Sequence, residues 1–244
     1  IRLDRGEGAD QGTGRPADAG GPGHPRIAVG QDRPASPAVD DVVGRAGRLD
    51  LMFNNAGIVW GGETELLTLD QWNAIIDINL RGVVHGVMAA YPQMLRQGDG
   101  HIINTASMAG LAAGGQLTSY VATKHAVVGL SMALRSEAVP RGVGVLVVCP
   151  AAVETPILDK GAVGSFGGRD YFLKTQGGKA YDADQLARDI LRAIERNKAI
   201  LVKPTVAHAQ WLFARLAPVM MNRLSMRFTS PQAKRSPSRA VDSG

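Results

Sequence analysis

Residues 101–124 read HIINTASMAGLAAGGQLTSYVATK, and the fold turns on how they are parsed. His101–Ala106 is a short apolar and β-branched run, expected as a strand. Ser107 follows it directly. Tyr120 and Lys124 open a stretch of helical text that runs to Val139 with small residues on one face. Residues at i and i+4 share a helix face. A lysine ammonium beside a phenol favours the phenolate and draws tyrosine down from its ordinary value near 10. That makes Tyr120 a general acid/base usable near neutral pH, and a hydroxyl at Ser107 can hold a carbonyl oxygen in the same pocket. Taken alone, the pair also fits a surface Tyr–Lys contact on a helix.

Toward the C-terminus, Val143–Val148 reads as a buried strand ended by Pro150, and residues 155–180 as a Gly-rich loop. Asp182 heads a helix to about Arg196, and Ala199–Lys203 reads as a last strand. Residues 205–227 read as helical, broken at Pro218, with Arg215, Arg223 and Arg227 among apolar residues. The preferred reading there is a helix pair packed on the domain or lidding a pocket; contact with a membrane surface is the lesser one. The polar text from Ser230 is expected to be disordered.

Toward the N-terminus, Gly98-Asp-Gly100 stops a helix that begins at the capping-box pattern Thr68-Leu-Asp-Gln71. Trp72, Ile75, Ile76 and Leu80 recur in it at helical spacing, and the helix bends near Asn79. An amide in apolar helical text needs partners; capping or kinking the helix is the plain alternative. Before it, Leu49–Phe53 reads as a buried strand that runs into Asn54-Asn55-Ala56-Gly57, and Val39–Ala46 as a short helix. Strands alternating with helices predict an α/β fold, a doubly wound parallel sheet covered on both faces. In such sheets ligands bind beyond the carboxyl ends of the strands, which is where the NNAG stretch, Ser107 and Pro150 fall.

Composition excludes other classes. The chain has 244 residues, 45% hydrophobic and 20% charged, and a net charge of +5, with the basic residues scattered, so no nucleic-acid partner is expected. Cys149 is the one cysteine, which excludes a disulfide framework and a Cys-based zinc site. The five histidines show no ligand spacing, so no metal is expected. No apolar run is long enough to span a bilayer and no signal-peptide pattern opens the chain, so the expected setting is the cytoplasm.

Residues 1–38 hold eight Gly and five Pro and no aromatic residue, and cannot offset their ordering entropy by apolar burial. The expected organisation is therefore an aberrant, disordered segment at 1–38, a domain at 39–227 that takes in the C-terminal helices, and a disordered tail at 228–244. The chain opens at Ile1 with no initiator Met, read here as a start inside a longer frame. A shifted reading frame joined to a normal one near Val39 would give the bias of the first segment, and a deletion or a fragment boundary would look similar.

The order Asn54-Asn55-Ala56-Gly57, Asn79, Ser107, Tyr120-xxx-Lys124 and Cys149-Pro-Ala-Ala-Val-Glu-Thr155 resembles the short-chain dehydrogenase/reductase family, from about Val39 to about Lys203. The resemblance implies a Rossmann-like fold and NAD or NADP as cofactor. The substrate is a small carbonyl or secondary alcohol, and the hydride passes between the two. It also implies roles. Tyr120 is the acid/base, and Lys124 lowers its pKa and bonds the nicotinamide ribose. Ser107 polarises the substrate oxygen, and Asn79 holds a water in a proton relay. Asn54, Ala56 and Gly57 line the cofactor site. Pro150 begins the segment that passes the nicotinamide, which Val153 and Thr155 contact. Ala151 stands where the family usually has Gly.

Substrate choice falls to residues 108–117 and 157–180, where Leu111, Ala112, Ala113, Leu117, Phe166 and Phe172 form an apolar pocket. A homodimer or homotetramer through the two long helices is also implied. The chain departs from the family at the glycine-rich phosphate turn. Gly8, Gly12 and Gly14 match its spacing, but no strand precedes them and Pro16 and Gly20–Gly23 forbid the following helix. Three strands would then be missing and Leu49–Phe53 would lie at an open edge. A catalytically silent binding or oligomer-forming module is the competing reading, and an extended-branch epimerase or dehydratase a weaker one.

Overall fold

A computed structural model of the chain describes residues 37–176 and 178–233. The matches at Gly8–Gly14 and the rest of the stretch before Pro37 lie outside the described residues. Among the described residues four parallel strands form one sheet in the order β1 (Leu51–Asn54), β2 (Gly100–Thr105), β3 (Val143–Pro150), β4 (Ile200–Lys203). The expected strands are all present, with ends shifted by one or two residues.

Helices cover both faces. On one, Ile102, Val143, Val145, Val147 and Val202 pack against Val83, Val87, Ala90 and Met94 of α3 (Gly82–Gln97) and Val127 and Leu134 of α4 (Thr118–Ala138). On the other, Ile103, Leu146, Val148 and Leu201 meet Ala193, Leu186, Ile190 and Ile194 of α6 (Ala183–Glu195). Alternate strand residues point to opposite faces, so the near-continuous apolar text of β2 and β3 has a helix layer to fill on each side. This is the parallel sheet covered on both faces that the alternation of elements predicts, and the Rossmann-like fold that the resemblance implies.

β1 departs from its reading as a buried strand. Among the described residues it has a hydrogen-bonded neighbour on one side only. Met52 and Asn54 turn to the α3 face, while Leu51 and Phe53, on the α6 face, are 40% and 46% exposed. α6 lies over the other end of the sheet, so the alternation in β1 leaves half its side chains uncovered.

The helix from Thr68 is built as its text predicts. The Thr68 hydroxyl accepts from the Gln71 N–H at 3.2 Å, and the Gln71 side chain accepts from the Thr68 N–H at 2.9 Å, heading α2 (Leu69–Ile76). The expected bend at Asn79 is a π-helical turn, Asp77–Arg81, in which Gly82 N–H reaches back to Asp77. Such turns widen the helix and re-aim side chains. Gly98, with φ 70°, ends α3, a left-handed conformation glycine adopts without penalty. Val39–Ala46 belongs to α1, which runs Pro37–Ala46.

Two expectations are corrected. Residues 155–180 are not loop throughout: they hold a 3₁₀ turn at Pro156–Asp159 and α5 (Arg169–Thr175). Phe166, Tyr171 and Phe172 cluster there with ring centroids 4.9–6.1 Å apart, and Arg169 bridges Glu154 and Asp159 at 2.8 Å, so burial orders a Gly-rich stretch. At the C-terminus, α7 (Ala207–Leu216) and α8 (Pro218–Ala233) break at Pro218 as expected, but α8 continues past Ser230. The residues after Ala233 lie outside the described ones.

Candidate active site

The carboxyl ends of β1, β2 and β3 open into one cleft of about 340 Å³. Its walls are Asn55 and Gly57 after β1, Ser107 after β2, Tyr120 and Lys124 from the first turns of α4, and Pro150–Val153 with Thr155 after β3. Phe172, Gln176 and Leu186 close it from the side of α5 and α6.

Ser107 and Tyr120 converge because the backbone after β2 presses onto α4. Ser107 caps a 3₁₀ turn, its Oγ accepting from Ala109 N–H at 3.1 Å. A Cβ added at Gly110 in that turn would stand 2.5 Å from the Lys124 carbonyl oxygen. Glycine thus permits a backbone-to-backbone approach that brings the serine against the helix. The Ser107 hydroxyl lies near enough to Tyr120 to favour its phenolate, and Lys124 Nζ lies 5.6 Å from the Tyr120 ring centroid.

The electrostatics correct one expectation. Tyr120 is not drawn below its ordinary pKa: burial raises it, and the Ser107 hydroxyl offsets that only in part. Lys124 is itself buried, and desolvation lowers it to about 8. It therefore loses its proton before the phenol does, so no ammonium remains to stabilise the phenolate. At neutral pH the cleft holds a neutral phenol and a desolvated ammonium. One N–H of that ammonium is given to the Thr105 carbonyl at 2.9 Å. Cys149, directly behind the site, is fully buried and pushed up to about 12, which makes it an un-ionised core thiol.

Asn79 is fully buried. Its Oδ1 accepts from Ile58 N–H at 2.8 Å, and its Nδ2 donates to the Ile58 carbonyl at 2.9 Å and to Thr123 Oγ1 at 3.3 Å. Both amide hydrogens are committed to protein, so the side chain clamps the loop after β1 to α4. A Cβ at Gly57 would meet Asn79 Oδ1 at 3.4 Å and Lys124 Nζ at 3.5 Å. That glycine leaves the space beside the ammonium open to a ligand.

Pro150, Val153 and Thr155 line the cleft; Asn54 and Ala56 do not. Asn54 points into the interior, where its Nδ2 donates to Asn104 Oδ1 at 2.8 Å, and Asn104 donates to Ser131 Oγ at 3.0 Å. A Cβ at Gly86 of α3 would collide with Asn54 Oδ1, so this amide is packed as core. Ala56 is exposed. The neighbour that does reach the cleft is Asn55, held by Thr105 Oγ1 at 2.9 Å. Strand parity carries that signal: Asn54 must share the face of Met52, and Asn55 must not. Gln176 and Leu186 carry no local motif that would have marked them.

A second pocket, about 140 Å³, adjoins the cleft across Gln176. Ala112, Ala113 and Leu117 line it, with Tyr171 and, from α8, Met221 and Leu224. Phe172 lines the first cleft, and Phe166 is buried in the aromatic cluster.

The short chain dehydrogenase family model matches residues 27–162, and so reaches back into the stretch before Val39. The chain is 39% identical over 119 residues to D-beta-hydroxybutyrate dehydrogenase of Rhizobium meliloti, covering 49% of this chain and 46% of the relative. It is 40% identical over 124 residues to cyclohexanol dehydrogenase of an Acinetobacter species, covering 50% of this chain and 49% of the relative. It thus spans about half the length of the curated relatives it matches. A crystal structure of a short-chain dehydrogenase from Streptomyces avermitilis superposes with a TM-score of 0.65 at 27% identity, over 80% of this chain and 75% of that one.

Proposed function

The chain belongs to the short-chain dehydrogenase family, and from that premise we propose that it transfers a hydride between NAD or NADP and a carbonyl or secondary alcohol. The observation that carries the reading is the meeting of Ser107, Tyr120 and Lys124 in one cleft. The residues present fit the nicotinamide-ribose half of such a cofactor. Lys124 and Gly57 would take the ribose, with Pro150, Val153 and Thr155 against the ring and Asn55 beside them. When bound, the cofactor supplies or accepts the hydride.

The protein's own groups handle the proton. Tyr120, neutral because it is buried, donates from its Oη to the substrate oxygen in the reductive direction. Ser107 Oγ, on the same oxygen, stabilises the negative charge that develops there. Lys124, titrating near neutrality, holds the ribose and passes a proton toward the phenol. Asn79 acts as a positioning residue, fixing α4 to the loop after β1, in place of the water-holding side chain first expected. The apolar lining at Phe172 and Leu158 favours a substrate with an apolar body. We place the protein in the cytoplasm, as a homodimer or homotetramer that covers the exposed Met88 of α3 and Met132 of α4.

The silent-module reading draws on the sequence before Val39, whose text around Gly8–Gly14 reads as neither a strand before the glycines nor a helix after them. Fluorescence titration of NADH and NADPH separates the two. Binding of either, together with carbonyl-dependent oxidation that Tyr120→Phe abolishes without loss of binding, supports the enzyme. No binding at millimolar cofactor leaves only the module.

A further inference from the structure

We propose that the outer face of the α7–α8 pair is a docking surface for an anionic lipid bilayer. The inner face of the pair is already used. Ala207 and Ala214 are buried, Trp211 packs on the sheet's core, Met221 and Leu224 wall the second pocket, and Ser225 Oγ accepts from Gly115 N–H at 3.0 Å. The outer face carries Leu212, Leu216, Val219 and Met220, between 55% and 74% exposed.

Charge selects the occupant. From Pro204 to Ala233 there is no Asp or Glu, in a chain with 22 of them, while Arg215, Arg223 and Arg227 stand among the apolar residues. Arg45, Arg48, Arg81, Arg169 and Arg192 each meet a carboxylate; these three, like Arg96, Arg141 and Arg196, have no ion pair among the described residues, and no carboxylate stands in their segment to give them one. A second copy seated on this face about a two-fold axis would set arginines against arginines with no carboxylate on either side, which is repulsive. A bilayer with anionic headgroups answers both features. Phosphates take the guanidinium groups, whose stems lie along the surface, and acyl chains take the leucine, valine and methionine side chains. No described helix is long and apolar enough to cross a membrane, so the contact is interfacial.

Flotation of the full chain tests this, with vesicles of equal parts phosphatidylcholine and phosphatidylglycerol against phosphatidylcholine alone. The chain is expected to float with the anionic vesicles only, and to release as salt is raised. Replacing Arg215, Arg223 and Arg227 by Gln should weaken binding roughly fivefold each, on the order of a hundredfold together. Leu216→Glu with Met220→Glu should abolish it with an unchanged melting curve, since both sites are exposed. Leu69→Glu at the start of α2, exposed and outside the patch, should change nothing. Failure to float with anionic vesicles, or equal flotation of the variants, overturns the proposal. So does sedimentation showing a self-associated species that the double Glu variant dissolves, which would assign the face to a second copy.

Discussion

β3 and β1 are both short apolar strands of one sheet, yet they live in different surroundings. Every residue of β3 is buried, between β2 and β4 and under helices on both faces. Among the described residues β1 has one neighbour and one covered face, and Leu51 and Phe53 look outward. The candidate chemistry divides the same way. Ser107, Tyr120, Lys124 and Pro150–Thr155 hang on the buried side, from β2, α4 and β3. β1 contributes Asn55, Gly57 and Val59 from the loop at its tip. Apolar text states what a strand can bury, whereas neighbours decide what it does bury.

The largest expected effect sharpens this contrast at the cleft. Tyr120→Phe removes one oxygen from the buried side and should lower turnover roughly 10²–10⁴-fold, with cofactor affinity retained. Ala56→Ser on the β1 side, outside the cleft, should leave turnover within about twofold. Steady-state kinetics with either cofactor reads both, and a comparable loss at Ala56 would break the division.

Next is packing. Leu146→Ala in β3 should cost about 2–5 kcal/mol in urea unfolding, whereas Leu51→Ala in β1 should cost under about 1 kcal/mol. Equal costs would mean that the outer face of β1 is covered in solution.

Protonation behind the cleft gives a third measure. The unfolded Lys124 titrates near 10.5 and the folded one near 8, so the unfolded chain binds more protons between those values and stability rises with pH across them. Cys149 acts oppositely. Its thiol ionises near 9 when unfolded and near 12 when folded, so the folded chain keeps the proton longer and stability falls over that range. Lys124→Met should remove the rise, up to about 3 kcal/mol, and Cys149→Ala the fall, up to about 4 kcal/mol, read by unfolding at a series of pH values. A flat difference at Lys124 would mean that its ammonium is hydrated.

The smallest effect separates adjacent residues at the tip of β1. Asn54→Ala leaves Asn104 Oδ1 without its donor and should cost about 1–3 kcal/mol of stability while sparing cofactor affinity. Asn55→Ala should weaken cofactor binding and spare stability. The reverse pattern would show that the parity of β1 is misassigned.

Most of the cleft was legible in the text. Tyr120 and Lys124 lie one helical turn apart, which local geometry alone places on one face, and Ser107 and Pro150 sit at strand ends, where the α/β rule puts ligands. What was not legible depended on packing. Asn54 and Asn55 look alike in sequence, and only the parity of a four-residue strand sends one inward and one to the cleft. Asn79 was rightly marked as an amide needing partners, but the partners, Ile58 and Thr123, are distant in sequence. α5 hides in a Gly-rich stretch because its stability comes from three rings meeting in space.

The amino-acid sequence by itself determined the order of strands and helices, the helix caps at Thr68 and Asp182, and the residue types that reach the cleft, because these follow from spacing along one chain. Only the tertiary structure decided that Tyr120 is kept neutral, that Asn54 is core, that Leu51 and Phe53 of β1 stay exposed and that α7 and α8 keep an uncovered basic, apolar face. Burial sets each of these, and burial depends on which distant segments arrive at the same place.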